Sequence, residues 1–172
     1  CAQPFVGHQP FVVALGDSII GINAQSDVVR RMAECFAEKG ASAVIAFEQV
    51  PLTEVHNYGV AKPRNGAGDV FEVEDVIEKP SAQEAPSNLA IAARYIFAPS
   101  IFDAIQRTRP GKNGEIQLTD AIRLVLKEGG QVYGLRLSSE ERRFDIGNFE
   151  TYFRAFVEFA LADAKHGASL RT

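Results

Sequence analysis

The sequence predicts an α/β fold in which a mixed, mostly parallel sheet is flanked by helices. A continuous apolar run over 11–15 is typical of a strand that is buried on both faces. Apolar residues at helical spacing then predict a helix from Asp27 to Lys39, and a second apolar run covers 43–47. Because strand, helix and strand with short connections form a βαβ unit, we expect the two strands to run parallel.

Length and composition are those of an ordinary globular protein with one core. The 172 residues are 46% hydrophobic and 23% charged, which predicts a single domain over 1–172. The net charge of −4 argues against a general nucleic-acid binder and against a protein that binds anionic membranes, because both need a basic surface. No apolar run approaches the length of a membrane span. Cys1 and Cys35 lack metal-site spacing, so reduced thiols in a cytoplasmic protein are the simplest account.

The middle of the chain predicts an antiparallel hairpin, in which turn residues over 64–69 separate extended segments over 58–62 and 70–77. The apolar segment over 90–97 predicts a strand, with a helix as the alternative because the segment is rich in alanine. The elements predicted after it are a short helix over 99–107, a helix from 118 or 119 to the glycines 129–130, a strand over 132–137, a turn over 144–147 and a helix over 149–160. The last helix carries an aromatic stripe at helical spacing. We expect this stripe to face the core, with an interface as the alternative.

Two adjacent charges, Glu78 and Lys79, end the second hairpin strand just before Pro80. Side chains alternate between the faces of a strand, so Lys79 falls in register with the more apolar set and Glu78 with the wetter set. A buried ammonium group is costly unless an anion meets it. The alternative is that the strand ends here and that both charges are solvated.

The candidate catalytic groups are carboxylates and one lysine near strand ends, namely Asp17, Glu78, Lys79 and Asp145. The sequence has no metal cluster of histidine and cysteine, no Gly-x-Ser-x-Gly elbow and no phosphate loop. Carboxylates with water suit Mg²⁺, and a lysine serves as a point charge for phosphate. The combination predicts phosphoryl or nucleotidyl transfer without a general base. The alternative for Asp17 is a turn or helix-capping aspartate.

Several short pieces of the sequence occur in the order that one enzyme family shows, and they cover nearly the whole chain. They are Pro-Phe-Val-Val-Ala-Leu-Gly-Asp at 10–17, Tyr-Gly-Val at 58–60, Val-Ile-Glu-Lys-Pro at 76–80, Ala-Pro-Ser-Asn-Leu-Ala at 85–90, Arg-Tyr at 94–95, Gly-Glu-Ile-Gln-Leu-Thr-Asp-Ala-Ile at 114–122, Phe-Asp-Ile-Gly at 144–147 and Val-Glu-Phe-Ala-Leu at 157–161. On these pieces the chain resembles the bacterial UTP–glucose-1-phosphate uridylyltransferases, which are sugar nucleotidyltransferases. The resemblance implies a Rossmann-like nucleotide-diphosphosugar transferase fold.

The resemblance also implies roles for the candidate residues. Asp17 is similar to the family's Mg²⁺ ligand, and Asp145 to a second carboxylate of the metal site. Glu78 would bind sugar hydroxyls, Lys79 the phosphate of glucose 1-phosphate, and Gly59 would offer its backbone to the sugar. In the implied reaction, glucose 1-phosphate attacks the α-phosphorus of UTP and expels pyrophosphate, while Mg²⁺ and Lys79 offset the charge. Lys79 and Asp17 are therefore the predicted catalytic residues.

Two further expectations concern the substrate site. Asn88, within the Ala-Pro-Ser-Asn piece, is the remaining predicted substrate-binding residue. For Glu78 and Lys79 to reach one ligand, the strand alternation must break at these two residues, as a bulge or a bend before Pro80. For Gly59, the alternative to a close approach of the backbone is a bulge glycine.

The sequence departs from the family pattern at three places. The family's first βα unit, with its Gly-rich nucleotide-binding loop, has no counterpart, Ser18 stands where many relatives have a second aspartate, and Ala93 where relatives often have glycine. We therefore expect the sugar-phosphate half of an N-terminally incomplete domain, with little activity alone and an exposed apolar patch beside 11–15. The expected partners are glucose 1-phosphate, UTP and further copies of the chain. The alternatives are a nucleotidyltransferase for another sugar phosphate or nucleotide, and an inactive module that binds sugar phosphate or another subunit.

Overall fold

The structure is a computed structural model that describes residues 2–21, 26–66, 68–111 and 114–171. Its helices are α1 (Gln3–Val6), α2 (Val28–Lys39), α3 (Ile101–Arg107), α4 (Leu118–Lys127), α5 (Phe149–Ala162) and α6 (Gly167–Leu170). Its strands are β1 (Phe11–Ala14), β2 (Ser18–Ile20), β3 (Ala43–Gln49), β4 (Gly59–Pro63), β5 (Val70–Glu78), β6 (Leu89–Phe97), β7 (Val132–Arg136) and β8 (Arg143–Asp145). Cys1 and residue 67 of the predicted turn lie outside the described residues.

The main sheet has the strand order β1-β6-β3-β7-β5-β4, and β4 also pairs with β6. Among the described strands only β3 and β7 pair in parallel, so the expectation of a mostly parallel sheet is wrong. The reason lies in the connections. Strands β4, β5 and β6 follow one another without a crossover helix, which favours antiparallel neighbours, whereas β7 follows α3 and α4 and pairs in parallel with β3.

The predicted βαβ unit of β1, α2 and β3 is present, but its two strands are not neighbours. Each runs antiparallel to β6, which lies between them, so β1 and β3 run in the same direction without pairing. Strand β1 is the edge of the sheet, and its residues alternate between half-buried and exposed rather than being buried on both faces. Val12 and Leu15 are 47% and 41% exposed, so two large apolar side chains within 11–15 lack cover, and the expected apolar patch there stays a prediction.

Strand β3 is the centre of the core, because its alternate side chains enter two different clusters. Ile45 and Phe47 pack on the face that α3 and α4 cover, and Val44 and Ala46 pack on the face that α2 covers. The cluster on the side of α3 and α4 also contains the sheet residues Phe71, Val73, Val76, Tyr95 and Phe97, and Ile122 of α4. Helices therefore cover both faces of the sheet at its centre.

The aromatic stripe of α5 does not face the core, contrary to the prediction. Phe149 is 82% exposed and Phe153 59% exposed, and Tyr152, Phe156 and Val157 are exposed as well. The helix instead packs on β8 with its other side, where the ring centroid of Phe159 lies 5.0 Å from that of Phe144. Hydrophobic spacing alone marked an apolar face but could not show that the packed side is the one that carries Phe159.

A second, two-stranded sheet joins β2 and β8, which are distant in sequence. The predicted turn over 144–147 is therefore wrong for Phe144 and Asp145, which belong to β8. The local sequence could not reveal this strand, because its antiparallel partner lies near the other end of the chain. Cys35 is buried with a free thiol, as expected. In the described part of the chain, no helix is long and apolar enough to cross a membrane.

Candidate active site

A cavity of about 430 Å³ lies where the loop after β1, the ends of β4 and β5, the middle of β6, the start of α4 and the β2–β8 pair meet. It brings together most of the residues predicted to act, since Asp17, Gly59, Glu78, Lys79 and Asp145 all line it. Asn88 does not line this cavity. Its backbone carbonyl accepts a hydrogen bond of 3.0 Å from the N–H of Val50.

The end of β5 corrects the predicted faces of the strand. Lys62 pairs with Asp75 and Pro63 with Val73, so Glu74 is an extra residue in a bulge. After the bulge Val76 returns to the core face that Val73 occupies. Glu78 therefore lies in register with the buried set, and Lys79 is exposed.

The predicted break in alternation occurs at Lys79. This residue has a φ of 47°, in the left-handed region, and its N–H donates a hydrogen bond of 2.9 Å to the carbonyl of Tyr58. The backbone turns here, and as a result both Glu78 and Lys79 line the cavity. The bend, rather than a regular strand, allows two adjacent side chains to face the same space.

Ala93, which also lines the cavity, has a similar backbone conformation with a φ of 55°. It lies in an irregular part of β6, because Ile45 pairs with Tyr95 while Phe47 pairs with Ile91. Among the described residues, Lys79 and Ala93 are the non-glycine residues with positive φ, and both line the cavity. The left-handed region costs an L-residue about 1–2 kcal/mol. Such strain is concentrated at functional sites.

Glu78 is held by a side chain that the sequence did not single out. The buried Thr119, in the first turn of α4, donates from Oγ1 to Oε2 of Glu78 at 2.5 Å. Gly59 leaves room for this pair, because a Cβ atom there would lie 3.3 Å from each of the two oxygens and 2.8 Å from Cδ1 of Ile91. Gly59 pairs regularly with Glu78, so it permits close packing and is not a bulge glycine. Thr119 lies within the piece at 114–122 that resembles the enzyme family, and that resemblance was the sequence signal that could have identified it.

Asp17 and Asp145 approach one another beside Gly147. Oδ1 of Asp145 and Oδ2 of Asp17 lie 3.2 and 3.5 Å from the point that a Cβ atom on Gly147 would occupy. The loop is fixed by two hydrogen bonds, from the N–H of Ile146 to the carbonyl of Asp17 at 2.7 Å and from the N–H of Gly147 to Oδ1 of Asp145 at 2.9 Å. The described residues contain no cluster of three or more histidine, cysteine or acidic side chains suited to a metal ion. The carboxylates of Asp17 and Asp145 are therefore the two candidate charged ligands for a metal ion beside Gly147.

Arg143 adds a buried positive charge that sequence reasoning missed. Its guanidinium bonds the Glu48 carboxylate, lies 4.8 Å from the ring centre of Tyr58, and reaches Asp145 at 3.9 Å. Burial raises the pKa of Glu48, although Arg143 opposes the shift. Burial acts to lower the pKa of Arg143, but the charge and hydrogen bond of Glu48 outweigh it and the pKa is raised. Glu48 lies outside the cavity and pairs with Arg143, so the three carboxylates that line the cavity, those of Asp17, Glu78 and Asp145, outnumber its remaining cation, Lys79.

Tyr95 completes the wall of the cavity with a neutral phenol. Burial, together with the negative charges of Glu78 and Asp17, raises the pKa of Tyr95 to about 12. The phenol therefore stays protonated at neutral pH and can donate a hydrogen bond. The side chain also stacks on Phe97, with ring centroids 5.4 Å apart, which fixes its orientation.

Comparison with known proteins places the chain in a family. The sequence model of the family "Nucleotidyl transferase" matches residues 2–161. A UTP–glucose-1-phosphate uridylyltransferase of Bacillus subtilis is 39% identical over 163 residues, which are 95% of this chain and 54% of that protein. The enzyme of the same name from Pseudomonas aeruginosa is 40% identical over 154 residues, which are 89% of this chain and 53% of that protein. The chain thus spans about half the length of the curated relatives it matches.

Solved structures give the same result for the fold. A UDP-glucose pyrophosphorylase complexed with UDP-glucose superposes with a TM-score of 0.81 at 35% identity, covering 90% of this chain and 57% of that chain. A UTP-bound UGPase from Acinetobacter baumannii gives a TM-score of 0.85 at 30% identity, covering 99% of this chain and 57% of that chain. The fold, the order of the sequence pieces and the family match agree, and the chain belongs to the nucleotidyl transferase family.

Proposed function

We propose that this chain is the sugar-phosphate-binding part of a UTP–glucose-1-phosphate uridylyltransferase, which forms UDP-glucose and pyrophosphate from UTP and glucose 1-phosphate. The observation that carries the proposal is the convergence of Asp17, Gly59, Glu78, Lys79 and Asp145 on one cavity. Its volume of about 430 Å³ falls within the range of small-molecule sites. The names of the relatives support the choice of sugar and nucleotide.

Glu78 and Lys79 would bind different parts of the sugar phosphate, Glu78 the sugar hydroxyls and Lys79 the phosphate. The exposed ammonium of Lys79 is a point charge for the phosphate. Oε2 of Glu78 accepts a bond from Thr119, which leaves Oε1 to accept hydrogen bonds from sugar hydroxyls. The backbone of Gly59, which pairs with Glu78, would contact the sugar from the neighbouring strand. Asn88 remains a predicted contact, although it lies outside the cavity.

The two carboxylates beside Gly147 fit a magnesium ion. Mg²⁺ is commonly bound by one or two protein carboxylates together with substrate phosphates, and Asp17 and Asp145 supply that number. When bound, the ion would offset the charge of the phosphates that meet in the reaction. The phosphate oxygen of glucose 1-phosphate is already anionic, so it can form a bond to the α-phosphorus of UTP, with pyrophosphate leaving in line, without a general base. Lys79 would stabilise the charge that develops.

A second candidate function is an inactive module that binds sugar phosphate or another subunit. The exposed aromatic stripe of α5 favours this interpretation, because exposed apolar patches mark interaction surfaces. We also propose that the protein is a cytoplasmic homo-oligomer, and the free thiol of Cys35 agrees with a reducing compartment. A transferase for another sugar phosphate would differ in the ligand that binds most tightly.

Calorimetry with glucose 1-phosphate in the presence of Mg²⁺ tests the binding site. Lys79→Met should weaken binding at least about tenfold, because a hydrogen bond to a charged group contributes about 1.5–3 kcal/mol. Methionine keeps the Cβ atom, so the backbone strain at this position does not change. Lys165→Met, at an exposed lysine outside the cavity, is the matched control and should bind normally. Equal affinity of Lys79→Met and the unaltered chain would refute the role of Lys79.

A coupled assay for pyrophosphate release, with UTP, Mg²⁺ and glucose 1-phosphate, tests the catalytic part of the proposal. We expect little turnover from the 172-residue chain, since it spans about half of its relatives. Binding of the sugar phosphate without turnover supports a sugar-phosphate-binding part. Rapid turnover would show instead that these residues suffice for the whole reaction.

A further inference from the structure

The hydroxyl of Ser18 is a buried group without a hydrogen-bond partner. Ser18 is 5% exposed, and within the described residues its Oγ is the buried side-chain oxygen or nitrogen for which no partner is found. Such groups are rare in folded proteins, because a buried hydroxyl loses its bonds to water. Ser18 also lines the cavity of the candidate active site. Since Oγ itself is buried, the hydroxyl would reach a ligand in this cavity by rotating toward it.

The backbone of Ser18 is fixed while its side chain remains unbonded. Its carbonyl accepts a bond of 2.7 Å from Nη2 of Arg94, and its N–H donates to the carbonyl of Leu15 at 3.4 Å. Only rotation about the bond between Cα and Cβ is needed to turn the hydroxyl, and serine has three staggered positions for it. An incoming ligand can thus recruit the group without a change in the fold.

The position of Ser18 relative to the two carboxylates suggests the chemical class of the ligand. In the antiparallel pair of β2 and β8, Ser18 lies directly opposite Asp145. Residues opposite one another share a face of the sheet, with their Cβ atoms about 4.5–5.5 Å apart. Asp17 precedes Ser18 in sequence, and its carboxylate approaches that of Asp145 beside Gly147. Ser18 therefore lies opposite one of the two neighbouring carboxylates and next in sequence to the other.

We propose that the Ser18 hydroxyl is the third oxygen group of a divalent-cation site that Asp17 and Asp145 form, and that it bonds a water molecule in the cation's shell. The inference rests on the proposed function, because it assumes that these carboxylates hold a cation. Mg²⁺ keeps several of its waters when it binds proteins, so a neutral hydroxyl near two carboxylates meets a water rather than the metal. Groups that bond the shell of a metal in this way change its affinity by about 10–100-fold.

Titration of the 172-residue chain with Mn²⁺, followed by electron paramagnetic resonance of the free ion, tests the inference. The unaltered chain should bind Mn²⁺, and Asp17→Asn should remove the site. Ser18→Ala should weaken binding about tenfold, at the lower end of the range for such groups. Ser139→Ala, at an exposed serine outside the cavity, is the matched control and should bind as the unaltered chain does.

Ser18→Cys provides a second variant of nearly the same size. Its sulfur is a weak hydrogen-bond acceptor and a soft ligand, so it should weaken Mn²⁺ binding as alanine does. Removal of an unsatisfied hydroxyl should leave the melting temperature without metal unchanged or higher, while the rise that Mn²⁺ causes becomes smaller.

The outcomes separate the two proposals. If both Ser18 variants bind Mn²⁺ as tightly as the unaltered chain while Asp17→Asn does not bind, the role of Ser18 is wrong and the cation site stands. If the unaltered chain does not bind Mn²⁺, or if Asp17→Asn binds it normally, the cation site is wrong and the role of Ser18 fails with it. A tenfold loss in Ser139→Ala would show that the effect is not specific to Ser18.

Discussion

Strands β3 and β5 belong to the same sheet but are built differently. Strand β3 alternates regularly, sends its side chains into two buried clusters and contributes no residue to the lining of the cavity. Strand β5 is interrupted by a bulge at Glu74 and ends at a left-handed residue, Lys79. The regular strand supplies stability, and the interrupted one delivers two adjacent charged side chains to one cavity. Departures from regular geometry thus bring Glu78 and Lys79 to the site, while Gly59 and Asp145 reach it from regularly paired positions in their strands.

The largest expected effect is a loss of stability from a substitution in the regular strand β3. Phe47→Ala in β3 should lower the free energy of unfolding by about 3–5 kcal/mol, because the ring is fully buried and its removal leaves a cavity. Phe153→Ala is the matched control, since the same change at a residue 59% exposed on α5 should cost far less. Denaturant unfolding followed by circular dichroism measures both. Similar losses for the two variants would contradict the burial described for β3.

The next largest effect is expected on ligand binding, from a substitution at Thr119, which bonds Glu78 at the end of the irregular strand β5. Thr119→Val removes the hydroxyl that bonds Oε2 of Glu78 while keeping the shape of the side chain. We expect the affinity for glucose 1-phosphate to fall about tenfold, since a hydrogen bond to a charged group contributes about 1.5–3 kcal/mol. Thr119→Ser should restore binding in calorimetry, because it returns the hydroxyl. If the valine variant binds normally, Thr119 does not position Glu78.

A smaller effect on stability is expected at alkaline pH. The pKa of Tyr95 rises from 10.0 to about 12 in the folded chain, so the fold favours the protonated phenol. The stability that this shift contributes is fully present below pH 10 and is lost as the pH rises through about 12. Ultraviolet titration of the phenolate should show a late step that Tyr95→Phe removes. A titration complete near pH 10 would mean that Tyr95 is not buried beside Glu78 and Asp17.

The smallest effect is expected at the strained alanine. Ala93→Gly should relieve about 1–2 kcal/mol of left-handed strain. It should also lose about 0.8 kcal/mol from the methyl group and about 0.5–1 kcal/mol from the greater freedom of glycine, so stability should hardly change. Ala90→Gly, at a buried residue of the same strand without a positive φ, has no strain to relieve and should cost about 1–2 kcal/mol. Equal losses at the two positions in denaturant unfolding would contradict the strain at Ala93.

The sequence was a good guide where structure is local. Helices α2 to α5, the hairpin and the central strands follow from periodicity and turn residues, whereas the short helices α1 and α6 were not predicted. Most predicted site residues reached one cavity because each lies near a strand end. The sequence did not predict contacts between residues that are far apart along the chain. The pairing of β2 with β8, the bond from Thr119 to Glu78 and the pair of Arg143 with Glu48 each join parts of the chain that no local pattern relates.

Two further errors have the same origin. The bulge at Glu74 reverses the faces of Glu78 and Lys79, and a period of two residues cannot register an extra residue in one strand. The aromatic stripe of α5 shows that an apolar face predicts burial only if another element lies against it. In both cases tertiary context decided between arrangements that the local sequence permits equally.

The pairing of β2 with β8 also has a consequence for the order in which the molecule is assembled. Five of the six strands of the main sheet, β3 to β7, lie between β2 and β8 in the sequence. Closing so long a loop costs more entropy than forming contacts between near neighbours does. We expect this pair to form after β3, β6 and β7 have met. A nascent chain that has not yet been synthesised as far as Asp145 holds Asp17 without its partner, so the capacity to capture a cation would be acquired late, on the ribosome as in refolding.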